Sequence, residues 1–253
     1  MSNGRVALVT GGARGIGQGI CLALGTGGYR VAVADLDLDA AQATAAEITA
    51  AGGTALAVRT DITDTEAVAT ALKTVESAFG PVEVLVNNAG WDDFMLFVDT
   101  TEEFWDRILD INFKGALRLT KAVVPGMVER GFGRVVNIGS DAGRVGSSME
   151  AVYSGAKGGI IAFTKTLARE VAGHGITANT VCPGPTDTPA LRSFADRSGS
   201  DAEKVIGGMT RAVPMRRLAV PADVANAVAF FASDASGYVT GQTLSVSGGL
   251  TMA

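Results

Sequence analysis

The chain has 253 residues, of which 47% are hydrophobic and 19% are charged, and these proportions are typical of one globular core rather than a disordered chain. A net charge of −5 argues against nucleic acid as the main partner. No apolar run is long enough to cross a membrane and no charged-then-apolar leader begins the chain, so we expect a cytoplasmic protein with no membrane association.

Seven short, β-branched segments are predicted strands: residues 5–10, 30–35, 55–60, 82–86, 134–138, 177–181 and 243–246. Segments with apolar residues at helical spacing are predicted helices: residues 18–24, 39–51, 64–79, 102–130, 153–172 and 221–232. Two of them match capping boxes, Thr63 with Glu66 and Thr100 with Glu103. The alternation predicts an α/β fold in a single domain over residues 1–253: a Rossmann-like, doubly wound parallel sheet of seven strands with helices on both faces.

One segment interrupts the alternation. Residues 185–217 are rich in Pro, Asp, Ser and Gly and are longer than a typical connection. Long excursions at the ligand edge of a sheet often cover a substrate, so we predict a lid here, with short helices near residues 189–196 and 202–210.

A glycine-rich turn, TGGARGIG, runs from Thr10 to Gly17 directly after the first predicted strand. Glycines allow a tight turn, and the free N–H groups of the following helix attract a pyrophosphate. The spacing GxxxGxG departs by one residue from the commonest dinucleotide fingerprint, and glycines also cap helices without binding anything. The position after the first strand favours dinucleotide binding by Gly11, Arg14, Gly15, Ile16 and Gly17.

Asp35 ends the second predicted strand and indicates which dinucleotide binds. A carboxylate there accepts hydrogen bonds from the adenosine ribose and repels a 2′-phosphate, which predicts NAD rather than NADP. Arg14 argues the other way, because a guanidinium can pair with that phosphate. Asp61 and Ile62 follow the third strand, where they suit an adenine ring, although an aspartate there also suits a simple turn.

Tyr153 and Lys157 are four residues apart and therefore share one face of a predicted helix. An adjacent ammonium favours the phenolate, so we expect the pKa of Tyr153 to be lowered toward neutrality. The same spacing also occurs where a lysine stem merely packs on a ring. Ser140 ends the fifth strand and either holds a substrate oxygen or caps a turn. Asn112 lies in an apolar helical stretch, where its amide needs buried partners and can anchor a water linked to Lys157.

Together these motifs resemble the short-chain dehydrogenase/reductase family along the whole chain. They are the glycine turn, Asn-Asn-Ala-Gly at residues 87–90, Asn112, Ser140, Tyr153 with Lys157, and Cys-Pro-Gly at residues 182–184. The resemblance implies that Tyr153 is the general acid/base and that Lys157 lowers its pKa and binds the nicotinamide ribose. It implies that Ser140 orients the substrate oxygen and that Asn112 supports a proton relay. Further implied cofactor contacts are Asn88, Ala89, Gly90, Pro183, Gly184, Thr186 and Thr188.

Within the family, stretches such as Gly-Trp-Asp at residues 90–92 and residues 144–153 resemble the 2-hydroxycyclohexanecarboxyl-CoA dehydrogenase branch. That resemblance implies an NAD-dependent enzyme for a secondary alcohol or ketone, best matched by a cyclic 2-hydroxyacyl-CoA. The pocket walls would be Trp91, Phe94, Ser148 and Met149. Alternatives are an NADPH-dependent 3-oxoacyl-thioester reductase and a non-catalytic nucleotide-sensing protein.

The sequence contains few residues of the types that bind transition metals. Cys21 and Cys182 are far apart and the chain has one histidine, so we expect neither a metal site nor a disulfide framework. The family resemblance implies that no metal is required, because a bound cofactor, NAD, accepts or gives the hydride. The family resemblance further implies a homotetramer.

Overall fold

The computed structural model describes residues 4–197 and 201–253 and contains the seven predicted strands in one sheet. All neighbouring strands are parallel, in the order β3-β2-β1-β4-β5-β6-β7. The strands are β1 (Val6–Thr10), β2 (Arg30–Asp35), β3 (Thr54–Arg59), β4 (Val82–Asn87), β5 (Gly133–Ile138), β6 (Ile176–Pro183) and β7 (Thr243–Val246). The predicted single-domain, doubly wound α/β fold is confirmed, and the strand order reverses between β1 and β4, where such sheets bind ligands.

The helices alternate with the strands. They are α1 (Gly15–Thr26), α2 (Leu38–Ala50), α3 (Thr65–Phe79), α4 (Glu102–Leu109), α5 (Gly115–Arg130), α6 (Ala142–Val145), α7 (Ala151–Val171), α8 (Pro189–Arg197), α9 (Ala202–Ala212) and α10 (Pro221–Ala232). Among the helices of the described residues, none combines the length and apolar character needed to span a membrane.

Successive residues of the central strands face opposite layers of helices. In β1, Ala7 and Val9 belong to a buried cluster with residues of α1, α2 and α10. Val6 and Leu8 belong to a second cluster, with residues of α3, α5 and α7. Burial on both faces is the reason that β1 is apolar along its whole length.

At both predicted capping boxes, the N-cap residue of the helix is one residue later in the sequence than expected. The N-cap of α3 is Asp64, whose carboxylate accepts from the backbone N–H groups of Glu66 and Ala67, while Thr63 donates its hydroxyl to Asp61. The N-cap of α4 is Thr101, because the hydroxyl of Thr100 accepts from the Trp105 indole. In each case two neighbouring residues can cap, and another side-chain hydrogen bond engages the first of them.

The predicted helix 102–130 is interrupted. A π-helical turn, Asp110–Lys114, separates α4 from α5. Such turns insert an extra residue into the helical hydrogen-bond ladder and frequently occur at functional sites. This one contains Asn112, which is buried.

The segment after β6 contains the two short helices expected there, α8 and α9. Residues 198–200 of the predicted lid lie outside the described residues. Because Leu191 and Phe194 of α8 line the cleft at the carboxyl edge of the sheet, α8 covers part of that cleft. Closure over a substrate remains a prediction.

The capping contact of α3 is testable. We expect Asp64→Ala to lower the free energy of unfolding by about 1 kcal/mol, because two N–H groups at the helix start lose their acceptor. Urea unfolding followed by circular dichroism measures this. Asp64→Asn keeps an acceptor and should lie close to wild type; an equal loss in both variants would contradict the assignment.

Candidate active site

A cleft of about 980 Å³ lies at the carboxyl ends of the strands, large enough for a dinucleotide and a small substrate. It brings together most residues predicted from the sequence: Gly11, Arg14, Gly15, Ile16, Gly17, Asp35, Asp61, Ile62, Asn88, Ala89, Gly90, Trp91, Phe94, Ser140, Tyr153, Lys157, Pro183, Gly184, Thr186 and Thr188. The lining omits Asn112, Ser148 and Met149.

The glycine turn packs so closely that side chains cannot be added. A Cβ at Gly17 would lie 1.9 Å from the Gly11 carbonyl oxygen, and a Cβ at Gly11 would lie 2.9 Å from Ala89 Cα. Helix α1 begins at Gly15, and its N-cap residue, Arg14, makes no side-chain capping bond. The side chain of the N-cap residue thus supplies no acceptor to the first N–H groups of α1, whose residues Gly15, Ile16 and Gly17 line the cleft, and such N–H groups suit a pyrophosphate.

Asn88 holds this turn against the end of β4. Its side-chain amide donates to the carbonyls of Thr10 (2.9 Å) and Gly11 (3.1 Å). The Thr10 hydroxyl in turn accepts from the backbone N–H groups of Asn88 and Ala89. Sequence reasoning placed Asn88 in the cofactor floor and included Thr10 in the glycine-turn motif, but it assigned the Thr10 side chain no role of its own.

Asp35 and Arg14 gave opposing indications about the cofactor. In the structure, Asp35 accepts hydrogen bonds from the backbone, whereas Arg14 forms an ion pair. The Asp35 carboxylate accepts from the backbone N–H groups of Ala13 and Asp37, both at 3.1 Å. The Arg14 guanidinium forms an ion pair with Asp37 instead. Asp35 is therefore held at the cleft wall, whereas Arg14 is engaged by a carboxylate.

Asp61 makes the contacts of a turn residue as well as lining the cleft. Its carboxylate accepts from the hydroxyl (2.6 Å) and the backbone N–H (2.9 Å) of Thr63, and these bonds lower its pKa. The neighbouring Ile62 packs on α5, since a Cβ at Gly115 would lie 2.5 Å from its Cδ1. The turn interpretation of Asp61 thus has direct structural contacts, and adenine recognition remains a prediction.

Ser140, Tyr153 and Lys157 meet where β5 and α7 converge. Ser140 hydrogen-bonds the Tyr153 phenol. Lys157 is buried and donates to the carbonyl of Ile138 at 2.9 Å, two residues before Ser140. Its ammonium lies 5.5 Å from the centroid of the Tyr153 ring. The fold therefore brings a hydroxyl, a phenol and an ammonium to one point of the cleft.

The expected lowering of the Tyr153 pKa does not occur in this structure. Burial raises the pKa of Tyr153 above its ordinary value, the charges of Asp92 and Glu150 raise it further, and the bond with Ser140 opposes them. Burial also lowers the pKa of Lys157 to about 8. Desolvation outweighs the attraction between the two groups because both are buried. At neutral pH Tyr153 is a neutral phenol with a proton to give.

Asn112 acts on the loop after β4. Its side-chain amide donates to the carbonyls of Trp91 (2.6 Å) and Ile108 (3.0 Å), and its oxygen accepts from the Trp91 backbone N–H (3.2 Å). Gly90 fits between this residue and Lys157, because a Cβ there would lie 2.9 Å from Asn112 Oδ1 and 3.6 Å from Lys157 Nζ. A water-mediated link to Lys157 stays a prediction.

The substrate wall differs from the expected one. Trp91 and Phe94 line the cleft, and Phe94 stacks on Phe194 of α8 with ring centroids 3.8 Å apart. Met149 has a left-handed backbone (φ 67°) and a side chain that is largely exposed, and Ser148 is exposed as well. Ser148 and Met149 therefore lie outside the cleft lining, and their part in the substrate wall remains a prediction.

Sequence reasoning assigned no role to two acidic residues and one cation of this wall. Asp92, Glu150 and Arg107 line the cleft. The guanidinium of Arg107 lies over the Trp91 ring, 3.8 Å from its centroid. An aspartate directly after the Gly-Trp pair in the loop that follows β4 was a visible signal, but its environment depends on loops that are distant in sequence.

The fold, the glycine cradle and the Ser-Tyr-Lys cluster define an oxidoreductase that uses a nicotinamide cofactor. A family model described as "Enoyl-(Acyl carrier protein) reductase" matches residues 11–251. The chain belongs to the short-chain dehydrogenase/reductase family.

Named relatives cover nearly the whole chain. The 3-oxoacyl-[acyl-carrier-protein] reductase of Escherichia coli (strain K12) is 39% identical over 249 residues, which are 98% of each chain. The acetoacetyl-CoA reductase of Shinella zoogloeoides is 41% identical over 247 residues, 97% of this chain and 98% of the relative. A solved variant of the actinorhodin polyketide ketoreductase with NADPH has a TM-score of 0.93 at 37% identity and covers 99% of this chain and 98% of its own.

The glycine cradle can be tested without an activity assay. We expect Gly17→Ala to weaken dinucleotide binding at least about tenfold, because the added methyl would overlap the Gly11 carbonyl and displace the turn. Calorimetric titration with NADH measures the affinity, with circular dichroism as a check of folding. Gly173→Ala is the matched control, since open space surrounds that position. Unchanged affinity in a folded Gly17→Ala variant would contradict the cradle.

Proposed function

We propose that this protein reduces a 3-oxoacyl thioester to the 3-hydroxyacyl thioester with a nicotinamide cofactor. The observation that carries the proposal is the Ser140–Tyr153 pair beside buried Lys157, with the phenol kept protonated in a cleft that also holds the glycine cradle. Reduction needs a proton donor at the carbonyl oxygen, and the phenol of Tyr153 can supply one. The names of two relatives, a 3-oxoacyl reductase and an acetoacetyl-CoA reductase, support the same substrate class.

The residues present fit a dinucleotide. The uncapped start of α1 would hold the pyrophosphate, Asp35 the adenosine ribose, and Lys157 the nicotinamide ribose. The floor would be formed by Asn88, Ala89 and Gly90, and the nicotinamide side by Pro183, Gly184, Thr186 and Thr188. When bound, the cofactor supplies the hydride that reduces the carbonyl carbon.

The chain's own residues handle the proton. Ser140 and Tyr153 donate hydrogen bonds to the substrate oxygen, and Tyr153 transfers its Oη proton to that oxygen as the alcohol forms. The buried ammonium of Lys157 stabilises the phenolate left behind, because an opposite charge favours the ionised form. Asn112 holds the Trp91 backbone in place, which shapes the substrate side of the cleft.

A cyclic 2-hydroxyacyl-CoA is the second candidate substrate. The aromatic wall of Trp91, Phe94 and Phe194 favours it, since flat apolar surfaces suit an alicyclic ring. The relatives favour the linear 3-oxoacyl alternative over this first interpretation. A nucleotide sensor without turnover remains the non-enzymatic alternative. The homotetramer and the cytoplasmic location stay predictions.

Initial rates with a linear and a cyclic substrate test the proposed substrate class. We expect acetoacetyl-CoA to be reduced at least about tenfold more efficiently, in kcat/KM, than 2-oxocyclohexanecarboxyl-CoA, followed at the nicotinamide absorbance band. Tyr153→Phe should lose nearly all turnover yet keep its dinucleotide affinity, because only the proton donor is removed. The reverse order of the two substrates would favour the cyclic candidate, and binding of NADH with no turnover of any ketone would favour the sensor.

We propose NADH as the preferred cofactor, although the solved ketoreductase neighbour carries NADPH. Asp35 stands at the wall where a 2′-phosphate would approach, and Arg14 is paired with Asp37 rather than free to receive that phosphate. Like charges in a partly desolvated cleft repel strongly.

We expect wild type to prefer NADH over NADPH at least about tenfold in kcat/KM, and Asp35→Asn to reduce that preference at least about tenfold, because one repelling charge is lost. Steady-state kinetics with both cofactors provide the measurement. Asp39→Asn removes an equal charge from the exposed start of α2 and should change nothing. A tenfold preference of wild type for NADPH would overturn the assignment.

A further inference from the structure

The hydroxyl of Ser140, which holds the substrate oxygen in the proposed reaction, is itself held by the one-turn helix α6. This helix begins two residues after Ser140, and the backbone N–H of Ala142 donates to the Ser140 hydroxyl oxygen at 3.1 Å. Because a serine hydroxyl has one proton to donate, a bond accepted by its oxygen restricts the directions in which that proton can point. The position of α6 therefore affects how Ser140 meets a substrate.

On one side, α6 packs directly on the backbone of α7. A Cβ at Gly143 would lie 2.7 Å from the backbone nitrogen of Gly158 and 2.8 Å from Lys157 Cβ. This contact is so close that glycine is needed there. It sets the distance between α6 and α7, but it contains no polar contact that fixes how α6 is oriented.

On the other side, a chain of polar side chains joins α6 to the edge strand β7. The guanidinium of Arg144 donates to the hydroxyl of Ser245 at 2.6 Å, and that hydroxyl donates to the Asp141 carboxylate. Ser245 thus lies between two opposite charges, and hydrogen bonds of this kind are stronger than those between neutral groups.

The Asp141 carboxylate depends on this chain. The residue is 5% exposed, and within the described part of the chain its second carboxyl oxygen has no hydrogen-bond partner. A buried carboxylate is costly without hydrogen bonds, so the bond from Ser245 ties Asp141, and with it the start of α6, to β7. The Asp141 backbone N–H also donates to the Pro183 carbonyl at 3.3 Å, which links the same segment to β6.

This chain of side chains lies behind the cleft. Ser140 is part of the cleft lining, whereas Asp141, Arg144 and Ser245 are not. An effect of Ser245 on turnover therefore has to pass through the residues that it holds, and the nearest of these to the substrate is Ser140.

We propose that Ser245 is a positioning residue for the reduction: its hydroxyl, between Arg144 and Asp141, holds α6 where the Ser140 hydroxyl can meet the substrate oxygen. The inference rests on the proposed function and deepens it, because it adds the edge strand β7 to the groups that orient the substrate. Without that hydroxyl, the buried Asp141 carboxylate has to move toward another donor. A shift of about 1 Å in such a site can lower turnover about a hundredfold.

Single variants test the role of the hydroxyl. We expect Ser245→Ala to lower kcat for acetoacetyl-CoA at least about tenfold and to leave the NADH affinity within about twofold of wild type, measured by calorimetric titration. Ser245→Thr keeps a hydroxyl and should retain kcat within about threefold. Thr243→Val is the matched control, since Thr243 lies two residues earlier on the same strand and its hydroxyl has no hydrogen-bond partner among the described residues.

A double-variant cycle tests whether Ser245 acts through Ser140. In the Ser140→Ala background, we expect Ser245→Ala to lower the residual kcat by less than about twofold, because the group that it positions is already absent. An equal tenfold loss in both backgrounds overturns the proposal, as does a loss of NADH affinity that matches the loss of kcat. Each of these results would indicate a merely structural role.

The outcomes separate this inference from the proposed function. If wild type reduces neither acetoacetyl-CoA nor 2-oxocyclohexanecarboxyl-CoA, the proposed function fails. Crystal structures of wild type and Ser245→Ala then still test the network: we expect the distance from the Ala142 nitrogen to the Ser140 hydroxyl oxygen to exceed about 3.5 Å in the variant. An unchanged α6 overturns the inference.

A second variant covers the case in which Ser245→Ala does not fold by circular dichroism. Arg144→Met removes the donor to Ser245 from a half-buried side chain. A loss in kcat of at least about threefold that disappears in the Ser140→Ala background supports the proposal, and an unchanged kcat overturns it.

Discussion

The active site depends on one buried hydrogen bond, from the ammonium of Lys157 to the carbonyl of Ile138. A buried charge is costly unless it is paired or hydrogen-bonded, and this contact ties the Lys157 side chain of α7 to the end of β5. Because Ser140 follows Ile138 by two residues and Tyr153 precedes Lys157 by one helical turn, the same contact brings the hydroxyl to the phenol. The grouping of Ser140, Tyr153 and Lys157 therefore follows from the hydrogen bond that accommodates the buried Lys157 ammonium.

The parallel sheet supplies the other half of the site. The reversal of strand order between β1 and β4 opens a crevice, and Asn88 and Thr10 close its floor by joining the ends of those two strands. Glycines are needed there because the turn packs so closely on the chain just after β4 that a Cβ at Gly11 would overlap the backbone of Ala89. Cofactor binding and catalysis thus share one edge, and only the loops after β4 and before α7 shape the substrate side.

Electrostatics in this cleft are governed by desolvation more than by pairing. Burial raises the pKa values of Tyr153 and Asp92 and lowers that of Lys157, so each group is biased toward its neutral form. The groups that produce these shifts, such as Asp92 and Glu150 beside Tyr153, are placed in one wall by distant parts of the chain.

Local periodicity and motifs within a few residues of one another were enough to predict the strands, most helices, the sheet type and the family. They also indicated Ser140, Tyr153, Lys157 and the glycine turn, whose spacing matches their geometry. The caps at Asp64 and Thr101, the π-turn at Asn112, the left-handed backbone of Met149 and the raised pKa of Tyr153 emerge only in the folded chain. These depend on burial and on partners far away in the chain, such as Trp91 with Asn112 or Asp92 with Glu150, and no local pattern contains that information.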